Sequence, residues 1–312
     1  MIKKKNTHLL ILLFISTIVY SQTYEGKIGE YDVFLEIDQF KDENIEGVYF
    51  YGSRLKNIRL EGQKNDSQII LYQRFSEKSE KKELFELQVK GNHLVGTWKN
   101  GKKELKVNLI ETEADFYALK KGKIKFIRDS VQKFKNKELV WFKEKYSNMS
   151  FFRLGNGFTK EQRLFFNQKL DTLHYSNAET FLDCDYLETN LKIELISENY
   201  LCFTETSSSY CGGAHPNHGI KTFNYDLVKI KALKEISDVY PELDFYPVLK
   251  NKYQDDPDID KQCDYFDSGY DSWWKYSNWV LTERGIEITP SFPHAMTPCS
   301  VPFLLTYKEI NK

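Results

Sequence analysis

The chain has 312 residues, of which 44 are Lys or Arg and 45 are Asp or Glu. That near-balance excludes nucleic-acid binding, whose affinity comes from massed cations neutralising phosphates. With 41% hydrophobic and 15% aromatic residues, the composition is globular and sufficient for two domains of ordinary size.

Lys3, Lys4 and Lys5, an apolar run over residues 8–19, and Val19-Tyr20-Ser21 follow the order of a secretory signal peptide. Residues 1–21 are therefore expected to be removed, with cleavage between Ser21 and Gln22. The apolar run is about a dozen residues, short of the ~20 that a bilayer-crossing helix requires. No membrane span is expected after cleavage, and the mature protein is expected to be periplasmic or secreted. Losing the three lysines leaves 41 basic residues against 45 acidic ones.

Residues 22–110 alternate apolar and polar side chains with period two, the mark of half-buried strands. The breaks are turn-forming: Gly29-Glu30, Gly52-Ser53, Asn65-Asp66-Ser67, Gly91-Asn92 and Asn100-Gly101. About eight strands joined locally predict an antiparallel meander that closes into a small barrel or sandwich, removing its edges. Phe34, Tyr49, Phe85 and Trp98 are the bulky residues expected to fill its interior.

Residues 111–146 read as a connector, partly helical, because Phe126, Ile127, Val131 and Phe134 fall near helical spacing. From 147 to 312 the pattern is α+β, an antiparallel sheet with helices on one face. Thr159 and Gln162 form a capping box at the head of a helix over 159–173. Strands are expected over 191–196, 200–210, 219–227, 279–289 and 301–307, and a helix over 236–252 that Pro241 and Pro247 start or kink.

All five cysteines lie in this half: Cys184, Cys202, Cys211, Cys263 and Cys299. An oxidising compartment permits bridges, and an odd count leaves at least one thiol free. Cys202 and Cys211 are a candidate pair, but the spacing does not choose among the pairings, and buried free thiols are the alternative.

Tyr210-Cys211-Gly212-Gly213-Ala214-His215-Pro216-Asn217, running into Lys221-Thr222-Phe223-Asn224-Tyr225-Asp226-Leu227, resembles a hallmark of the RsiV-like C-terminal domain. Ile236-Ser237-Asp238-Val239-Tyr240, Leu281-Thr282-Glu283-Arg284-Gly285-Ile286 and Val301-Pro302-Phe303 resemble its later elements. The resemblance covers about residues 147–312. That extracytoplasmic domain is shared by a lysozyme-sensing anti-sigma factor, in which it binds lysozyme, and by some peptidoglycan deacetylases, in which it accompanies a separate catalytic domain. The resemblance implies a partner that is a lysozyme-like protein or a cell-wall glycan, and no enzymatic activity of the domain itself.

The residues admit several chemistries. Gly212 and Gly213 lack the spacing of a phosphate-binding loop and suit a sharp turn fixed by His215. His215, His218 and His294 are the candidate zinc ligands of an alternative cell-wall-acting hydrolase. Ser207, Ser208 and Ser209 lie near His215 but in no nucleophile-elbow motif. Asp255, Asp256, Asp258 and Asp260 lack the glycine and distal glutamate of a calcium loop and suit a negative surface facing a basic partner. Trp273 and Trp274 stand in the densest aromatic cluster, part of which must be core; they are the candidates for a binding surface. No cofactor motif is present. The sequence thus points to an exported, non-catalytic binding protein, with the hydrolase or a structural partner in an envelope assembly as alternatives.

Overall fold

The computed structural model describes residues 20–39, 43–74 and 83–311. The expected signal peptide therefore lies almost wholly outside the described residues. The chain divides into two compact units, residues 1–122 and 123–312. Among the described residues no helix is long and apolar enough to cross a membrane.

Eight strands of the first unit close into a meander barrel: β1 (Tyr20–Ile28), β2 (Tyr31–Gln39), β3 (Asn44–Tyr51), β4 (Ile58–Asn65), β5 (Gln68–Gln73), β6 (Leu84–Lys90), β7 (His93–Asn100) and β8 (Lys103–Thr112). Each strand pairs antiparallel with the next, and β8 returns to β1 from Thr23↔Thr112 to Ile28↔Val107. The two-residue alternation puts Val33, Leu35 and Ile37, then Tyr49, Leu60, Leu71, Phe85, Leu87 and Trp98, into one buried interior. Phe34 is not among them. It stands on the outer face of β2, stacked on Phe50 at 5.0 Å; Phe50 in turn meets Phe116 of the short helix α1 (Phe116–Lys121) edge-on. The period that turns Val33 and Leu35 inward must turn Phe34 out, and α1 supplies its cover.

Asn100 pairs directly with Lys103, so the turn residues are Gly101 and Lys102, one place later than Asn100-Gly101. Gly101 takes φ 61°, the first-position glycine of a tight hairpin turn. Gly62 and Gly96 serve closure: a Cβ at either would overlap the carbonyl oxygen of the adjoining strand, Ile70 or Glu86. The backbones approach so closely there that only glycine fits.

The second unit opens with a three-stranded sheet, β9 (Phe126–Phe134), β10 (Lys137–Glu144) and β11 (Ser150–Leu154), with β10 central. The helical spacing of Phe126, Ile127, Val131 and Phe134 is thus realised as an edge strand. Hydrogen bonding to the Leu139–Phe142 stretch overrides that spacing. Helix α2 (Lys160–Asp183) starts at the expected capping box, Thr159 with Gln162, and runs ten residues beyond the predicted end. The main sheet follows, in order β12 (Tyr186–Ile196), β13 (Tyr200–Tyr210), β14 (Asn217–Asp226), β15 (Lys231–Leu233). After a 3-10 turn at Ile236–Asp238 comes α3 (Phe245–Tyr253), with Pro247 in its first turn, where the missing N–H has no intrahelical partner anyway. The expected helix over 236–252 is interrupted at Pro241. Helix α4 (Tyr270–Trp273) precedes β16 (Asn278–Leu281), β17 (Gly285–Thr289) and β18 (Phe303–Thr306), which form a third sheet, and α5 (Tyr307–Ile310) ends the described chain.

The main sheet is buried on both faces near its β15 end. Leu201, Phe203 and Tyr225 pack with Phe152, Phe166 and Leu170 on the α2 side. Cys202 turns the other way, into a core with Trp274, Trp279, Ile286 and Phe303. The two sheets are joined through Asn224: its Nδ2 donates to the Trp279 carbonyl at 2.8 Å, and its Oδ1 accepts from the Leu281 N–H at 3.0 Å. Replacing Asn224 with Ala would strand both buried backbone groups. The expected loss is about 2–4 kcal/mol, measured by urea denaturation.

His174 on α2 is buried between Phe151 and Phe152, its Nε2 2.7 Å from the Phe152 carbonyl oxygen and its Nδ1 without a partner. Burial lowers its pKa from 6.5 to about 4. Above pH ~6.5 the ring is neutral in both states and the contribution is complete. As pH falls towards 4 the unfolded chain takes up a proton that the folded chain refuses. About 2 kcal/mol should be lost by pH 5. Comparing the pH dependence of the urea midpoint in the wild type and in His174→Gln isolates that contribution.

Candidate functional site

Beyond Phe203 and Phe223, stacked at 4.5 Å, the composition of the main sheet changes from apolar to Thr204, Thr206, Ser207, Ser208 and Ser209. Here β12, β13 and β14 run past the layers that cover them, and a cleft opens on each face. On the α2 side, a cleft of ≈ 580 Å³ is lined by Asn148, Met149, Phe181, Thr189, Asn190 and Ser207, with Glu188 at its edge. On the opposite side, a cleft of ≈ 490 Å³ lies between β13–β14 and the segment from β16 to Ser300. Its polar walls are Thr206, His218, Asn278, Thr289, Ser291 and Thr297; Phe292 and His294 complete it. Its lining carries hydroxyl, amide and imidazole groups, and no carboxylate, ammonium or guanidinium. The buried carboxylate of Glu205 is already committed, accepting from Asn177 Nδ2 at 2.5 Å and facing Lys221 Nζ at 3.6 Å.

The β13–β14 connection crosses the end of these clefts. Gly212 and Gly213 adopt φ 91° and 101°, and nothing lies within 4 Å of where a Cβ would stand. Their role is conformational rather than close approach. The Tyr210 hydroxyl donates to the Gly213 carbonyl at 2.9 Å. His215 is exposed, its ring 6.4 Å from that of His294. His294 Nε2 lies 2.8 Å from the Pro216 carbonyl oxygen. A carbonyl only accepts, so Nε2 carries the proton and offers no lone pair to a metal. The fold thus gathers the three sequence-selected histidines at one rim. Among the described residues, however, no group of three or more His, Cys, Asp or Glu is placed to hold a metal ion.

Two disulfides frame the region, and neither is the candidate pair Cys202 and Cys211. Cys184 joins Cys211, and Cys263 joins Cys299; Cys202 is free and buried. Cys202 and Cys211 stand nine positions apart along one extended strand, about 30 Å, and cannot meet. Cys184, at the end of α2, comes beside Cys211 because Tyr186, two residues on, pairs with Tyr210. Burial pushes the Cys202 thiol up to about 12. Two disulfides fit an oxidising compartment.

Trp274 is also not a surface residue. It is fully buried, its Nε1 donating to the Tyr265 carbonyl at 2.6 Å and its ring stacked on Phe266 at 5.4 Å. Trp273 is half-buried and stacks on Phe292 at 4.7 Å, so it backs the aromatic ring in the cleft wall. Asp255 and Asp258 are exposed. Asp256 is half-buried and accepts from the Asp258 N–H at 2.9 Å, and Asp260 accepts likewise from Gln262. These carboxylates fold their own loop back on itself, and the Cys263–Cys299 bridge ties it to the 3-10 segment His294–Cys299 at the cleft.

Phe292, Asn278, Thr289 and Thr297 carried no sequence signal; three separate segments bring them to the β13–β14 end. Of the residues singled out in the sequence, Ser207, His218 and His294 line the cleft there. The Cys184–Cys211 bridge spans 27 residues and is expected to contribute about 3.5 kcal/mol on the chain-entropy account. The double variant Cys184→Ala/Cys211→Ala should lose that amount in non-reducing denaturation, while Cys202→Ala leaves both bridges intact by mass spectrometry. Compared with known proteins, the chain matches no protein-family model and no curated sequence.

Proposed function

We propose that this chain is an exported, non-catalytic binding protein whose second unit recognises a cell-wall glycan in the β13–β14 cleft. The observation that carries the reading is the wall chemistry of that cleft. Hydroxyl, amide and imidazole groups line it together with Phe292, and no carboxylate, ammonium or guanidinium does. Such a wall matches a neutral, polyhydroxylated ligand that exchanges hydrogen bonds along its edge and lays an apolar sugar face on an aromatic ring. Glycoside hydrolysis ordinarily uses two carboxylates flanking the bond, and this cleft lining supplies neither. The likeness of residues 210–227 to the RsiV-like domain supports an envelope ligand, and the signal-like segment at 1–21 supports export.

A lysozyme-like basic protein is the second reading, favoured by one observation. Between Asp255 and Asp271 the chain carries seven aspartates and a single base, Lys261, and Asp255, Asp258, Asp260, Asp267 and Asp271 are exposed.

Co-sedimentation with purified peptidoglycan tests the first reading. Phe292→Ala should weaken retention about tenfold through loss of the stacking face. Ser291→Glu, an exposed change that keeps the fold, should do the same by placing a charge in the neutral wall. Retention unchanged in both variants would remove the cleft from consideration. Asp258→Lys with Asp267→Lys should leave peptidoglycan binding intact; if the wild-type protein captures lysozyme and this double variant does not, the second reading holds.

A further inference from the structure

A second cluster stands at one end of the β1–β8 barrel, independent of the cleft in the second unit. Tyr31 at the start of β2, Tyr51 at the end of β3, Ser53 and Arg54 in the turn that follows, Trp98 on β7 and Lys103 at the start of β8 line a cleft of ≈ 290 Å³. The meander brings them together because the connections after β1, β3 and β7 all emerge at this end. A barrel mouth is a recurrent place for small ligands, and this volume lies at the low end of such sites.

The walls combine flat rings with positive charge. Lys103 Nζ lies 5.2 Å from the Tyr31 ring centroid and 5.9 Å from that of Trp98. The Tyr31 and Tyr51 rings meet edge to face at 6.0 Å. Below them, the Glu83 carboxylate accepts from the Tyr49 hydroxyl and, at 3.3 Å, from Trp98 Nε1. Both donors of the barrel interior reach one oxygen, Oε2. Of the acids on the adjoining strands, Asp32 faces Lys27 at 3.7 Å, and Glu86 faces Lys99 at 2.5 Å. Among the described residues neither Arg54 nor Lys103 has a carboxylate at ion-pair distance. Among the described residues that line the cleft, Arg54 and Lys103 are the charged ones, and both are cations. The Tyr49 proton is given to Glu83, so across the 3.4 Å between the Tyr49 and Tyr51 hydroxyls Tyr51 is the donor.

We propose that this barrel mouth binds a small aryl carboxylate, its anionic group held by Arg54 and Lys103 and its ring against Trp98 and the Tyr31–Tyr51 pair. The guanidinium offers paired donors that fit a carboxylate, and the aromatic walls fit a planar apolar body. A neutral isostere satisfies the walls and leaves both cations unanswered; a bare inorganic anion answers the cations and leaves the rings uncovered.

Isothermal titration of the mature chain with benzoate, with benzamide as the uncharged isostere, tests the site. Benzoate should bind, benzamide at least about tenfold more weakly. Arg54→Gln and Lys103→Met, both at exposed positions, should each weaken benzoate by about tenfold or more while leaving the thermal midpoint unchanged. Phe292→Ala should bind benzoate as the wild type does, which separates this site from the glycan cleft. Equal binding of acid and amide, no heat from benzoate up to about 10 mM, or binding indifferent to both substitutions would overturn the assignment.

Discussion

The second unit depends on the Asn224 side chain acting as a piece of backbone. Its amide offers one donor and one acceptor to β16, the pair that a neighbouring strand would have offered, and so docks the β16–β18 sheet on the face of β14. An unpaired strand edge buried against another layer would leave N–H and C=O groups without partners. A single buried amide meets that demand at one point, and the cleft between β14 and the segment beyond β17 opens beside it. The position of the cleft therefore follows from polar satisfaction rather than from the apolar packing on either side.

The covered and uncovered halves of the main sheet explain how one strand serves two purposes. Along β13, Leu201, Cys202 and Phe203 are buried on both faces, whereas the Thr206–Ser209 stretch borders water on both. Hydroxyl side chains tolerate that change, because they keep the β-branched or short shape of strand residues and still bond solvent or ligand. Holding the strand rigid at its buried half fixes the position of the hydroxyls at the other half.

Where structure was legible in the sequence, the signal was local. The eight-strand meander could be read because each strand alternates and each break is a turn, and the α2 capping box was visible in Thr159 and Gln162. Phe34 was misplaced because a bulky apolar residue looks inward until α1 is known to cover the outer face. The stretch over 126–134 looked helical because four apolar residues fell near a 3.6 period, and only the pairing with β10 decides otherwise. The site was less legible. His215, His218 and His294 are gathered at one rim as the sequence allowed, but the wall is built from Asn278, Thr289, Phe292 and Thr297, whose approach to β13 is a tertiary fact. The disulfides failed for the same reason: Cys202 and Cys211 are close in sequence but far apart along a strand, while Cys184 and Cys211 meet only through the register of β12 and β13.

The free Cys202 has a consequence for how the two bridges persist. A thiol whose proton is held to about pH 12 by burial presents almost no thiolate, and thiolate is the species that attacks a disulfide. Once the core has closed, the odd sulfur cannot reshuffle its two bridged neighbours. Burial of the unpaired thiol therefore shields the Cys184–Cys211 and Cys263–Cys299 bridges from exchange in the folded protein.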